Sequence, residues 1–292
     1  SISLAVVLGL SACGGNSGEP KFTNFQPASV AIGQPDLVSG QANRGGAPSA
    51  SGLDQPYAVA LTPAGGLLVS ELNNHRVLFY PSVPSTSGAA AAAVLGQPDF
   101  GSSAPGFNKP LSVAVGAGKM AVVDSESNRV LIYDRIPAPG EPLPEPVAVI
   151  GQPNFQSTAA SCGAGGLSRP FGVFISPEGK LIVADTQNSR LLVWNTVPAA
   201  GTFAPVPDLV LGQSDLDHCA FRDHDQDGDS DRVPGSTRVV QHATARSMQP
   251  FASWTDGKRL AVLDTSSSRV LIWNTFPTVN FQPADVVLGQ PD

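Results

Sequence analysis

An acidic stretch between residues 223 and 231 has an aspartate at every second position, and Gly228 stands at its sixth position. Ca²⁺ binds six to eight oxygen ligands, alternate aspartates can converge on one ion, and a glycine permits the sharp turn. These residue types at this spacing predict a Ca²⁺ site, with Asp229 contributing its carbonyl oxygen. The five predicted ligands are Asp223, Asp225, Asp227, Asp229 and Asp231.

The twelfth position of this stretch is Pro234, where an EF-hand loop has a bidentate glutamate. The sequence shows no flanking helices. The stretch resembles EF-hand-like loops of extracellular proteins, and that resemblance implies weak, structural calcium. The alternative interpretation is a solvated acidic insertion without a metal ion.

A charged pair occurs four times, with an acidic residue five positions before an arginine and an apolar run after it. One interpretation is a ring of four ligand-binding pairs. The other is structural: the carboxylate accepts N–H groups of the turn, and the arginine bridges to it or to a neighbouring unit. Because a pair present in every unit serves the folding of that unit, we favour the structural role. The pairs are Glu71–Arg76, Asp124–Arg129, Asp185–Arg190 and Asp264–Arg269.

The first residues form an apolar stretch followed by small residues and Cys13. Residues 10–13, Leu-Ser-Ala-Cys, are similar to a bacterial lipobox. The resemblance implies a signal peptide over residues 1–12 (its basic n-region missing), acylation of Cys13 and a flexible tether over residues 13–27. Gly14, in place of an aspartate, implies the outer membrane of the cell envelope. The alternative is an ordinary secretory signal; the stretch is too short to span a bilayer.

Cys162 and Cys219 are the two remaining cysteines of a chain predicted to be exported. Both follow a Gly-Gln dipeptide, in successive units. Equivalent loops of adjacent units lie near each other, which favours a disulfide, and two buried or free thiols are the alternative. Among the histidines, a catalytic role would use His218 or His242 with a carboxylate. No catalytic signature supports that role, so we assign no catalytic residue.

Repeated short apolar runs must position these residues. A Gly-Gln phrase recurs five times at spacings of 55 to 77 residues, which indicates a propeller or a solenoid. Within each unit we predict four strands: one opened by a proline, a second ending at the acidic residue, a third beginning at the arginine and a last ending at the Gly-Gln phrase. Such units, stacked radially, form an all-β propeller.

The pattern of residues 170–194, Pro-x-Gly-Val followed by Leu-x-Val-Ala-Asp and Arg-Leu-Leu-x-Trp, resembles the NHL repeat. The resemblance covers most of residues 53–292 and implies a β-propeller of four-stranded blades. It departs from the family pattern at Glu71, in place of an aspartate, and at Ser253 and Trp254, in place of an apolar pair.

Residues 24–36 nearly repeat residues 280–292, so the chain contains a last strand at 28–33 without the first three strands of its unit. Propellers avoid exposed sheet edges by closing into a ring. We therefore expect a propeller over residues 28–292 with four complete repeats, truncated at its C-terminus, and five or six blades in the intact protein.

The net charge of −7 argues against a nucleic-acid partner. We expect a lipid-anchored binding or scaffold module for a protein or a small ligand. The alternative, implied by related propellers such as gluconolactonase, paraoxonase and virginiamycin B lyase, is a metal-dependent hydrolase or lyase. Such enzymes place metal ligands at the starts of their innermost strands, where this chain has poor ligands: Tyr57, Leu111, Phe171 and Phe251.

Overall fold

A computed structural model describes residues 24–101, 106–139, 141–221 and 248–290. These ranges contain sixteen strands in four antiparallel sheets, each with its strands in chain order. We call the sheets blades 1 to 4.

Blade 1 contains β1 (Pro56–Leu61), β2 (Leu67–Glu71), β3 (Arg76–Tyr80) and β4 (Ala93–Leu95). Blade 2 contains β5 (Pro110–Gly116), β6 (Lys119–Asp124), β7 (Arg129–Tyr133) and β8 (Ala148–Ile150). Blade 3 contains β9 (Gly172–Ile175), β10 (Leu181–Asp185), β11 (Arg190–Trp194) and β12 (Leu209–Leu211). Blade 4 contains β13 (Pro250–Thr255), β14 (Leu260–Asp264), β15 (Arg269–Trp273) and β16 (Val286–Leu288).

The second and third strands of each blade begin and end where the charged pairs predict. The acidic residue is the last residue of the second strand, and the arginine opposite it is the first residue of the third. Short 3₁₀ turns join these strands in blades 2 to 4, at Ser125–Ser127, Thr186–Asn188 and Thr265–Ser267; a further 3₁₀ segment lies at Ala42–Gly45. The residue before each arginine has a positive φ of 51° to 54°. These four left-handed residues are His75, Asn128, Ser189 and Ser268.

The proline that opens the innermost strand is followed by a shift of register in blades 1, 2 and 4. A proline has no N–H to donate to the ladder, so it is tolerated at the first residue of a strand or at a bulge. In blade 3 the innermost strand begins at Gly172, two residues after Pro170. The Cα of Gly172 lies so close to the Phe251 carbonyl that a side chain there would meet it at 2.4 Å.

Apolar side chains fill the three seams between consecutive blades. Between blades 1 and 2, Leu68 and Phe79 pack with Met120 and Val122. Between blades 2 and 3, and between blades 3 and 4, the equivalent positions form two further clusters. Strands with both faces buried explain the nearly continuous runs of Val, Ile and Leu in the sequence. The prediction of an all-β propeller of four-stranded blades is confirmed.

The outer strands are joined across the seams by backbone hydrogen bonds. The Ala204 N–H donates to the Val149 carbonyl at 3.0 Å, and the Phe281 N–H donates to the Val210 carbonyl at 3.0 Å. The Gly88 N–H donates to the Ala31 carbonyl in the same way, also at 3.0 Å. The segment 28–33 therefore occupies the position of an outer strand beside blade 1, although no ladder partner for it lies within the described residues.

Blade 4 has an apolar face that no described residue fully covers. Its positions correspond to Ala121, Val123, Val130 and Ile132 of blade 2, which are 0% exposed. In blade 4 the side chains are half-buried, and Leu288 is 52% exposed. We call this surface the uncovered face, and its residues are Ala261, Leu263, Val270, Ile272 and Leu288.

Among the described residues, none of the helical segments has the length and apolar character needed to cross a lipid bilayer.

Candidate functional site

The antiparallel order of the strands brings four kinds of segment to one end of every blade. These are the start of the innermost strand, the turn between the second and third strands, the end of the outer strand and the loop after it. We call this end the loop face. The charged pairs, the Gly-Gln phrases and the two cysteines of the disulfide prediction all lie there.

Each buried arginine on the loop face ties several segments together. The Arg190 Nε donates to Asp185 Oδ2 at 2.8 Å, and its Nη1 donates to the Leu216 carbonyl at 2.6 Å. Its Nη2 donates to the carbonyls of Gly163 and Gly166, at 3.0 and 3.1 Å. The guanidinium and the carboxylate are both 0% exposed. The three carbonyl acceptors lie on the loops that enter and leave the same blade.

The carboxylates accept an N–H that sequence reasoning did not identify. The donor lies on the segment that leads into the innermost strand: Ser168 N–H donates to Asp185 Oδ1 at 2.8 Å, and Asp54 N–H donates to Glu71 Oε1 at 2.9 Å. The turn also donates, through the side-chain amides of Asn188 and Asn74, at 2.8 and 2.7 Å. Burial raises the pKa of the Asp185 carboxyl, and the Arg190 guanidinium acts in the opposite direction. Every polar side-chain atom of the Asp185–Arg190 pair makes a hydrogen bond within the protein, so the pair holds the loops around it in place.

The glutamine of the Gly-Gln phrase has a role that we did not predict. Gln152 Nε2 donates to the carbonyls of Asn128 and Ala159, at 2.9 and 2.8 Å. Gln213 donates in the same way to Ser189 and Ala220, at 3.4 and 2.9 Å. The glutamine therefore fastens the end of the outer strand to the left-handed turn residue. Its recurrence in all five Gly-Gln phrases was the available signal.

The starts of the innermost strands present apolar and aromatic side chains. The rings of Phe171 and Phe251 are in contact across the seam of blades 3 and 4, with centroids 4.4 Å apart. Leu111 belongs to the core cluster against which Phe171 packs, and Tyr57 is 43% exposed. No group of three or more His, Cys, Asp or Glu side chains placed to hold a metal ion occurs among the described residues.

The structure links Cys162 and Cys219 in a disulfide, with Cα atoms 6.1 Å apart. The bond joins the loop after β8 to the loop after β12, across the seam of blades 2 and 3. His218, one residue before Cys219, has Nδ1 at 2.7 Å from Asp215 Oδ1. His75 Nδ1 accepts the Lys109 N–H at 3.2 Å, so this histidine connects blade 1 to the start of β5.

Several predicted site residues lie outside the described residues. They are the lipidation residue Cys13, the predicted Ca²⁺ ligands Asp223, Asp225, Asp227, Asp229 and Asp231, and His242. The signal peptide and most of the tether lie outside them as well.

The fold and the loop-face geometry define a β-propeller. Comparison of the sequence with protein-family profiles and with curated proteins finds no match. Among solved structures the chain is similar to a protein from Lactobacillus plantarum (15% identity, 79% of this chain and 57% of that one, TM-score 0.44). It is also similar to a catalytically inactive virginiamycin B lyase from Staphylococcus aureus with quinupristin (11%, 81% and 55%, TM-score 0.39) and to the WD40 repeats of RRP9 (13%, 78% and 53%, TM-score 0.41). The chain spans little more than half the length of these structures.

Proposed function

We propose that this protein is an exported, lipid-anchored NHL-repeat β-propeller of the cell envelope that binds a protein or a small ligand on its loop face. One observation carries the binding role. The buried arginine–carboxylate pairs of the loop face are used in internal contacts, whereas the innermost strand starts offer aromatic side chains: Phe171 and Phe251 are partly exposed, and Tyr57 is 43% exposed. Such a surface suits contact with a partner, because exposed aromatic side chains contribute most of the energy of recognition.

The lipid anchor rests on Cys13 and the Leu-Ser-Ala-Cys sequence around it. Residues 13–27 would tether the propeller to the membrane, and Gly14 supports the outer membrane as its destination. The segment 28–33 lies directly after this tether and packs beside blade 1 through Ala31. The anchor would therefore hold the propeller by its outer rim.

The NHL assignment and a ring of five or six blades complete the proposal. The segment 28–33 stands where an outer strand belongs, and the uncovered face of blade 4 has the composition of a seam. A further blade between them would bury this face and supply a ladder partner for residues 28–33. Calcium at residues 223–231 is proposed as a structural ion of the loop face, since that stretch follows Cys219 by four residues.

The binding role is tested by photo-crosslinking in cells, with a photoreactive amino acid placed at Tyr57 in the full-length lipoprotein. Val83 is the matched control, because it is 54% exposed and follows β3 at the opposite end of blade 1. We expect a discrete adduct from position 57 and none from position 83. Adducts of equal yield from both positions, or none from position 57, would contradict binding on the loop face.

The anchor is tested in the same cells by labelling with a palmitate analogue. The wild-type protein should be labelled and should sediment with the outer membrane, whereas Cys13→Ser should be unlabelled and released. Labelling of Cys13→Ser at the wild-type level would rule out the anchor.

A further inference from the structure

Two seams of the loop face are joined by a hydrogen bond of the same kind. Between blades 2 and 3, the Arg169 N–H donates to Asn128 Oδ1 at 2.8 Å. Between blades 1 and 2, the Lys109 N–H donates to His75 Nδ1 at 3.2 Å. In both seams the acceptor belongs to the turn of one blade, and the donor lies at the entry to the innermost strand of the next.

The two bonds correspond residue by residue. His75 and Asn128 each stand directly before the arginine of their blade, with φ angles of 54° and 52°. Lys109 and Arg169 each stand directly before a proline, and both have a left-handed backbone, with φ angles of 58° and 40°. The difference between the seams therefore lies in the chemistry of the acceptor, an imidazole nitrogen in one and an amide oxygen in the other.

The bond at His75 fixes the protonation state of its ring. A backbone N–H can only donate, so Nδ1 must carry a lone pair, and the ring is neutral with its proton on Nε2. A second proton would occupy Nδ1 and would set two donors against each other. The amide oxygen of Asn128 accepts at every pH, whereas histidine changes charge between about pH 5 and 8.

Charged groups on the flanking turns are paired with one another. In the turn that contains His75, the buried Glu71 and Arg76 form a salt bridge. On the turn of blade 2, Glu126 lies 3.5 Å from the ammonium group of Lys109 and also contacts an arginine of blade 3. The closest formal charge across the seam is thus part of a pair that already contains a carboxylate and a cation.

The neighbouring loops add two further carboxylates. Asp54, before β1, accepts a hydrogen bond from a side-chain amide of blade 1, and Asp99, after β4, accepts one from an N–H of its own loop. Residues 102–105 of that loop contain no ionisable side chain. The carboxylates around His75 are engaged elsewhere, so a proton added to its ring would gain little that offsets the lost bond.

We propose that His75 is a pH-sensitive latch between blades 1 and 2. At neutral pH the ring holds Lys109 and with it the start of β5, and at about pH 5 protonation releases this contact and loosens the seam at the loop face. The intact bond disfavours proton uptake by the folded state, so its contribution to stability is present at high pH and is lost as the pH falls. The latch does not depend on the proposed binding role of the loop face.

The test is hydrogen–deuterium exchange of the full-length protein at pH 7.5 and pH 5.0, read by mass spectrometry and corrected for the intrinsic exchange rate at each pH. A typical hydrogen bond changes an opening equilibrium by about fivefold, so the protection of the segment that contains Lys109 should fall at least about fivefold at pH 5.0. The segment that contains Arg169 is the control within the same molecule and should stay protected. Its blade has the same acidic residue and arginine, so titration of carboxylates affects both segments alike.

Two variants assign the effect to His75. His75→Asn supplies the acceptor that blade 2 uses, so the Lys109 segment should be equally protected at both pH values. His218→Asn removes another histidine of the loop face and should keep the wild-type pH dependence at Lys109. Equal protection of the wild-type Lys109 segment at both pH values, or the same loss in His75→Asn, would overturn the proposal. No ligand takes part, so this result stands apart from the test of the binding role.

Discussion

The arginine–carboxylate pairs show how two charges are accommodated where water is excluded. A buried ion pair gives up its hydration, and the mutual attraction offsets this loss only when the remaining donors and acceptors are bonded. Arg190 meets that condition through four hydrogen bonds, and Asp185 accepts from Ser168 and from the Asn188 amide as well. Removing one partner should therefore cost far more than the pair contributes.

Arg190→Met should lower the free energy of unfolding by about 3–5 kcal/mol at pH 7, because Asp185 is left buried without its partner. Burial raises the pKa of Asp185 above its ordinary value, and the guanidinium no longer opposes this. The folded state then binds a proton that the unfolded state releases, so stability should fall as pH rises from 5 to 8. Urea unfolding at both pH values measures the effect.

Arg259→Met is the matched control for this pair. Arg259 and Asp256 form an exposed pair, so the variant should lose no more than about 0.5 kcal/mol of its free energy of unfolding. Backbone and side-chain hydrogen bonds from Arg259 lower the pKa of Asp256 to about 2, so any contribution of this pair is lost only as pH falls toward 2. If the free energy of unfolding of Arg190→Met depends on pH no more steeply than that of Arg259→Met, Asp185 does not take up a proton in the folded variant.

Sequence spacing identified the charged pairs, because in every blade the acidic residue ends the second strand and the arginine begins the third. It could not identify the carbonyl acceptors, since these come from loops whose sequences differ between blades.

At the level of secondary-structure elements, the spacing of the apolar runs and of the charged residues beside them determines where most strands begin and end. The apolar runs and the flanking charged residues fixed β10 and β11 to the residue, whereas the start of β9 was placed two residues early. The left-handed turn residue was not predicted, because no single residue type occupies the position, which holds His75, Asn128, Ser189 and Ser268. Backbone bonds that surround the turn, and not its own propensity, hold this conformation.

The disulfide should stabilise the contact of blades 2 and 3. It closes a loop with a sequence separation of 57 residues, for which chain entropy gives about 4 kcal/mol. We expect the double variant Cys162→Ser/Cys219→Ser to lose about 2–4 kcal/mol in urea unfolding. A reductant should lower the wild-type midpoint to that of the double variant and leave the double variant unchanged. A wild-type midpoint insensitive to reductant would show that the bond contributes little.

The acidic stretch at 223–231 should couple folding to calcium. An ion that binds only the folded state raises the unfolding midpoint with its concentration, so Ca²⁺ should raise the Tm relative to chelator. The rise should be absent in Asp225→Ala/Asp227→Ala and present in Asp36→Ala, which removes an exposed carboxylate elsewhere. If Ca²⁺ leaves the wild-type Tm unchanged, the stretch is a solvated insertion.

For the whole molecule, the uncovered face is the surface on which the proposed further blade would pack. If such a blade covers it, Ile272→Asp should cost at least about 4 kcal/mol, because the new charge would be buried. Ile132→Asp is the reference, since Ile132 holds the same position in blade 2 and is 0% exposed. Equilibrium unfolding of both variants measures the costs. A loss within about 0.5 kcal/mol for Ile272→Asp would mean that this face stays in water.

The hydrogen bonds and the disulfide between outer segments also determine the order in which parts of the molecule would separate under a stretching force. A pull applied at the N-terminal side reaches the propeller first at residues 28–33, where Ala31 is held by the Gly88 N–H and the Ser87 hydroxyl. Blades 2 and 3 are joined by a covalent bond at Cys162 and Cys219. Under force the first segment would peel from blade 1 at low extension, and the middle of the propeller would be the last part to separate.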